Sequence, residues 1–124
     1  MGLDIRVIEK KEVSDFRAGS YSGFNAWRIK LASLVSIDLN KMVGFGGTKE
    51  WEGYIPFIEL LSHSDCDGKL NYEQCKELKE DFENKEIIKK VNDTKDAYFI
   101  EKFNKWKKAV LIVLEDENRE IEFL

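Results

Sequence analysis

Residues 16–25 contain the side chains best suited to hold a ligand, and they lie at the start of a segment with strong helical periodicity. They include two glycines and the polar residues Arg17, Ser20, Tyr21, Ser22 and Asn25. Free N–H groups at the start of a helix attract anions, and an arginine guanidinium grips a phosphate or carboxylate through two hydrogen bonds. The segment therefore predicts an anion pocket in a loop, formed by these five polar residues. In the alternative interpretation, Ser20 or Ser22 simply caps the helix.

A second polar segment, residues 63–74, resembles the calcium-binding loop of an EF-hand. Its matching positions are the third, fifth, sixth and ninth, which hold Asp65, Asp67, Gly68 and Asn71. The first and last positions hold His63 and Gln74, where Ca²⁺ prefers a carboxylate. The pattern predicts no tight metal binding and favours a helix–turn–helix corner. A third interpretation places His63, Asp65 and Asp67 against a ligand as hydrogen-bonding groups.

His63 is the only histidine of the chain. Histidine is the commonest general base in enzymes, and Asp65 or Asp67 would orient its ring. The chain offers no obvious nucleophile, because both the G-x-S-x-G elbow and the H-E-x-x-H helix motif are absent. The sequence therefore favours a non-enzymatic role, and a small hydrolase that uses His63 is the third of three hypotheses.

Two aromatic residues are not explained by core packing at helical spacing. Trp51 and Tyr54 follow the pair Gly46-Gly47, whereas most other aromatic residues recur at helical intervals. An aromatic ring beside a pocket offers a surface on which a base or ring can stack. The sequence predicts such a stacking platform at these two residues.

Composition and charge exclude several classes of protein. The chain has 124 residues and a net charge of −4, which disfavours duplex nucleic-acid binding because such proteins usually present a basic face. No apolar run approaches the roughly 20 residues that a membrane-spanning helix needs. The two cysteines, Cys66 and Cys75, form no C-x-x-C pair and fit a reducing compartment. We expect a cytoplasmic protein with a single domain, 1–124, and no bound cofactor.

The periodicity of apolar residues predicts an α+β fold dominated by helices. Alternating apolar residues predict strands at residues 3–8 and 119–124, and these strands are expected to pair with each other in an antiparallel, two-stranded arrangement. About four helices are predicted between them, over residues 22–39, from Pro56, from an N-cap at Asn71, and over residues 94–114.

The two polar segments, F-R-A-G-S-Y-S-G-F-N-x-W at residues 16–27 and H-S-D-C-D-G at residues 63–68, resemble a family of small, uncharacterised bacterial and phage-borne proteins. The resemblance runs from the opening Met-Gly-Leu-Asp through Lys-Trp-Lys-Lys-Ala at residues 105–109 to the closing strand. It implies no established activity. A phage setting implies antagonism of host defence, for example by sequestering a nucleotide signal.

These observations lead to three hypotheses for function. The first is a binding module for a small anionic ligand that is phosphorylated or nucleotide-like, held by the first polar segment and contacted by His63, Asp65 and Asp67. The second is a protein–protein interaction module without a small-molecule ligand, and the third is the hydrolase. The expected partner is a small anion, without duplex nucleic acid or membrane, and a homo-oligomer is compatible with the sequence.

Overall fold

The computed structural model describes residues 2–9, 11–63 and 68–123. These residues contain four strands, β1 (Leu3–Ile8), β2 (Glu12–Gly19), β3 (Lys69–Leu70) and β4 (Glu120–Phe123). They also contain five α-helices, α1 (Tyr21–Leu34), α2 (Ile58–Leu61), α3 (Tyr72–Phe82), α4 (Lys85–Asp93) and α5 (Ala97–Val113). A short 3-10 helix, Leu39–Lys41, follows α1. The fold is therefore α+β with helix dominant, as predicted.

The predicted pairing of the two terminal strands is confirmed. β1 runs antiparallel to β4, with Ile5 opposite Phe123 and Val7 opposite Ile121. All four side chains are buried, because alternate residues of a strand point to the same face of the sheet. Their shared apolar face specifies the register, since a slip of one residue would expose it.

The sheet has four strands in the described residues, where the sequence predicted two. Its order is β2-β1-β4-β3, and each neighbouring pair is antiparallel. β2 is an edge strand in which Ala18 is the one fully buried residue, so it lacks the apolar alternation that identifies a strand. Residues 16–19, which the sequence placed in a loop, therefore belong to a strand.

The helices differ from the prediction in number and in several boundaries. α2 begins at Ile58 and α5 at Ala97, where the sequence predicted Pro56 and residue 94. α1 ends at Leu34, whereas the sequence predicted an end at residue 39. Ser36 has a positive φ of 65°, which lies outside the region of a right-handed helix, so the helix cannot continue through it. α4 was missed because it has nine residues, of which only Ile87 and Val91 are buried. Its apolar residues do recur at helical spacing, but a helix this short is stable only where it packs on neighbouring elements.

The core lies between the inner face of the sheet and helices α1 and α5. Trp106 of α5 is fully buried at its centre. Four other aromatic rings surround it with centroids 5.2–6.2 Å away, those of Phe16, Phe24, Trp27 and Phe123. This cluster joins the edge strand, α1 and the C-terminal strand, so it fixes where the N-terminus of α1 lies. None of the helices in the described ranges is both long enough and apolar enough to span a bilayer.

Candidate functional site

The first polar segment ends in a capped helix. Ser20 is the N-cap of α1, and its Oγ accepts a hydrogen bond from the Gly23 N–H at 2.9 Å. The hydroxyl oxygens of Ser20 and Ser22 lie 3.3 Å apart on the exposed surface. The Oγ of Ser20 therefore caps α1, as the alternative interpretation of this segment stated. Both serine hydroxyls remain at the positive end of the helix dipole.

The glycines of this segment leave room for Tyr98 of α5. A Cβ added to Gly19, which has a φ of +114°, would lie 2.7 Å from the Tyr98 hydroxyl oxygen. A Cβ on Gly23 would lie 3.8 Å from the same oxygen and 2.9 Å from the Ser20 Oγ. Side chains cannot occupy either position without displacing these hydroxyls. The glycines thus bring a third hydroxyl, that of Tyr98, to the start of α1.

Arg17 lies in strand β2, and its side chain is paired with a carboxylate. Its Nη1 donates to Asp4 Oδ1 at 2.9 Å, and each side chain is 53% exposed. The guanidinium also lies over Gly2, since a Cβ there would be 2.1 Å from Arg17 Nη2. The sequence predicted that the Arg17 guanidinium binds an anionic ligand. In the structure its partner is the carboxylate of Asp4.

Lys102 of α5 places a cation against the backbone of this segment. Its Nζ donates to the Arg17 carbonyl oxygen at 2.7 Å and lies 5.3 Å from the centroid of the Tyr98 ring. The residue is only 8% exposed, and no described carboxylate lies within ion-pair distance of its ammonium. Burial lowers the pKa of Lys102, and the positive charges of Lys105 and Arg17 lower it further, against the opposing charge of Glu101.

The position of Lys102 within α5 is itself a sequence signal for its burial. Lys102 lies three residues after Phe99 and four before Trp106, so helical spacing places it in the buried stripe. A lysine in an apolar stripe is an exception to the pattern and therefore a candidate functional residue.

A cavity of about 270 Å³ lies beside these groups, between α1 and the start of α5. Its lining residues are Gly23, Ala26, Trp27, Lys30, Asp96, Tyr98 and Phe99. Lys30 and Asp96 form an ion pair of 2.7 Å at this cavity. The hydrogen bond from Lys30 lowers the pKa of Asp96, and the backbone N–H of Phe99 lowers it further. The cavity therefore combines apolar walls with one charged pair, and Tyr98 connects it to the hydroxyl groups of α1.

The second polar segment is tied to α1 by Arg28, which the sequence analysis did not single out. Arg28 is 2% exposed, and its guanidinium lies between the rings of Phe24 and Phe45, at 4.7 and 5.0 Å from their centroids. It donates to the carbonyl oxygen of His63 and, at 3.4 Å, to Asn25 Oδ1. Asn25 and His63 are therefore brought to the same guanidinium.

The remaining predicted site residues do not lie together in one site. Tyr21 is half-buried and packs against the core. His63 stacks on Phe123, and its Nε2 is 3.3 Å from the Lys69 carbonyl oxygen. Asp65 and Asp67 lie outside the described residues. The structure thus gathers Ser20 and Ser22 with Tyr98, and it places Asn25 and His63 together at Arg28.

The capping box at α3 uses the side chains at two of the expected calcium positions. Asn71 Oδ1 accepts from the Gln74 N–H, and Gln74 Oε1 accepts from the Asn71 N–H, both at 2.9 Å. Gln74 Nε2 also donates to Glu59. The predicted N-cap at Asn71 is therefore confirmed, and both amide oxygens already have partners. The helix–turn–helix interpretation needs one correction, because strand β3 lies between α2 and α3. Within residues 2–9, 11–63 and 68–123, no group of three histidine, cysteine or acidic residues is placed to hold a metal ion.

Comparison with known proteins does not assign the chain to a group. No protein-family model matches the sequence, and neither a curated protein nor a solved structure matches it. The function must therefore be argued from the residues themselves.

Proposed function

We propose that this protein binds a small anionic ligand at the start of α1, through Lys102 and the hydroxyl groups of Ser20, Ser22 and Tyr98. We call these four residues the Lys102 site. The observation that carries the proposal is the ammonium of Lys102, which is nearly buried and has no carboxylate partner among the described residues.

Buried charges in proteins are normally paired, because removing an ion from water costs several kcal/mol. Lys102 has one carbonyl acceptor and an aromatic ring as neighbours, and neither carries a full negative charge. A bound anion would supply the missing counter-charge. The N–H groups and dipole of α1 favour negative charge at the same end of the helix, and three hydroxyls offer further hydrogen bonds.

The adjoining cavity is where the rest of the ligand would lie. Its volume of about 270 Å³ and its Ala26, Trp27 and Phe99 walls suit a ring or sugar, and the Lys30–Asp96 pair suits polar atoms at its edge. A phosphorylated, nucleotide-like ligand combines these features. In a phage-borne protein of the cytoplasm, such a site would serve to sequester a nucleotide signal of host defence.

Thermal unfolding with a panel of anions tests the proposal. Inorganic phosphate, AMP and a cyclic dinucleotide are added in a phosphate-free buffer, and a ligand that binds the folded state raises the melting temperature with its concentration. We expect at least one to do so for the wild type. Lys102→Met should abolish the shift, while the ligand-free variant melts at or above the wild-type temperature because an uncompensated charge has been removed.

Lys105→Met is the matched control, because Lys105 lies on the same helix and pairs with Glu101 at 3.0 Å. It removes the same charge and should keep the ligand-induced shift. A wild type that no anion stabilises, or a Lys102→Met variant that responds like the wild type, would contradict the proposal. The protein–protein interaction module would then become the leading hypothesis, ahead of the hydrolase that uses His63.

A further inference from the structure

We propose that a groove beside Tyr54 docks a basic peptide segment of a partner protein. The groove has a volume of about 230 Å³ and lies between the loop before α2 and the helix α3. We call it the Tyr54 groove, and its lining residues are Gly53, Tyr54, Ile55, Ile58, Glu59, Glu77, Leu78, Glu80 and Asp81. It shares no residue with the Lys102 site, so this inference is independent of the proposed anion site.

The Tyr54 ring is an exposed surface that is held in one position. Tyr54 is 80% exposed, the most exposed of the large hydrophobic residues in the described ranges. Its hydroxyl donates to the Asp81 carboxylate, whose other oxygen accepts the Phe57 N–H at 2.9 Å. Asp81 itself is buried. The ring is therefore anchored at its tip while its faces remain accessible, which is the arrangement that a stacking cation requires.

The charged residues that line the groove are all acidic. Its lining includes four acidic residues and no lysine or arginine. Glu77 and Glu80 form no ion pair with any described residue, whereas Glu73 of α3 and Glu101 of α5 each pair with a lysine. Tyr54 also borders a second groove of about 370 Å³, whose charged lining residues are Glu50, Glu52 and Lys49, so that its lining is negative on balance. A positively charged partner complements both sides of the ring.

The floor of the groove identifies that partner as a peptide with apolar side chains. Ile55, Ile58 and Leu78 form the apolar lining, and a carboxylate rim surrounds them. A segment that alternates apolar and basic residues would place an apolar side chain on this floor and a guanidinium over the Tyr54 ring. A linear polyamine would instead lay its charges along the apolar floor, where they lose hydration without a partner.

The probe for this surface is a fluorescein-labelled octapeptide of alternating leucine and arginine with blocked ends, measured by fluorescence anisotropy. The matched probe replaces each arginine with glutamate. We expect only the basic peptide to bind, with an affinity that falls as salt is added. Tyr54→Ala should weaken binding by roughly three- to thirtyfold, the range expected for a lost cation–π contact. Tyr54→Phe keeps the ring and should weaken binding less.

A carboxylate pair provides the second arm of the test. Glu77→Gln with Glu80→Gln should weaken binding, whereas Glu86→Gln, on the exposed start of α4, should leave it unchanged. Thermal melts of each variant check that the fold is kept. The proposal is wrong if the basic peptide does not bind, if Tyr54→Ala binds it as the wild type does, or if spermine binds at these residues more tightly than the peptide.

Discussion

The imidazole of His63 stacks on the ring of Phe123, with 4.0 Å between the ring centroids and 18° between the planes. Phe123 belongs to the last strand, and His63 immediately follows the turn that ends α2. A Cβ on Gly68 would lie 3.1 Å from His63 Cε1, so the backbone at Gly68 also passes close to the imidazole. The second polar segment is therefore held against the sheet through this ring pair.

The ring pair predicts a large loss of stability in the variant Phe123→Ala. Phe123 is 3% exposed and also contacts Phe24 and Trp106 in the core. We expect its truncation to lower the free energy of unfolding by about 3–5 kcal/mol, the usual cost for a buried phenylalanine. Urea denaturation measures this loss, with the exposed Glu117→Ala as control. A loss below about 0.5 kcal/mol would contradict the packing of β4.

Arg28 is predicted to stabilise the fold through its shape as well as its charge. Arg28→Lys keeps the charge but loses the planar fork that reaches both Asn25 and the His63 carbonyl oxygen. We expect the free energy of unfolding to fall by about 2–4 kcal/mol in urea denaturation. Arg17→Lys, in a half-exposed ion pair, is the matched control and should cost less than about 1 kcal/mol. Equal effects of the two substitutions would show that the buried guanidinium has no special role.

Lys102 predicts a pH dependence of stability in the ligand-free protein. Burial lowers its pKa below the ordinary value of 10.5, so the folded protein loses this proton at a lower pH than the unfolded chain does. Unfolding therefore takes up a proton between the two pKa values, and the contribution of Lys102 to stability rises with pH across that window.

The comparison of wild type with Lys102→Met isolates this effect. We expect Lys102→Met to gain most over the wild type near neutral pH and the gain to shrink as the pH approaches 10.5. Denaturation curves of both proteins at several pH values provide the measurement. A difference that is independent of pH would show that the ammonium of Lys102 is not destabilised in the folded state.

The raised pKa of Tyr54 predicts that its contribution to stability falls as the pH rises in alkaline solution, the opposite of the Lys102 effect. The hydrogen bond to Asp81, together with burial and the charges of Asp81 and Glu80, raises the pKa of Tyr54 from its usual 10.0 to about 12. The folded protein thus keeps this proton when the unfolded chain has lost it. The stability that Tyr54 contributes is present below pH 10 and is lost as the pH rises through about 12.

Ultraviolet absorbance of phenolate measures the Tyr54 titration directly. The difference between the wild type and Tyr54→Phe should show one tyrosine that titrates well above 10. Asp81→Asn serves as the control, because it keeps a hydrogen-bond acceptor and removes the negative charge. A Tyr54 that titrates at its ordinary pKa in the wild type would contradict the hydrogen bond.

Some elements were predictable because one stretch of the chain contains the whole signal. The alternation in residues 3–8 and 119–124 identifies both strands, and their shared apolar face implies that they pair. Asn71 and Gln74 form the capping box from within four consecutive residues. Local patterns of this kind depend only on the period of the backbone and on hydrogen bonds along one helix.

The amino-acid sequence by itself determined the α+β class, the two terminal strands and the N-cap of α3 at Asn71. Only the tertiary structure decided the strand at β2, the pairing of Arg17 with Asp4 and the hydrogen bond from Lys102 to the Arg17 carbonyl oxygen. The physical reason is that periodicity reports which side of an element is apolar. It does not report which distant group lies against a polar side chain, and the carbonyl that accepts from Lys102 belongs to a residue 85 positions away in the chain.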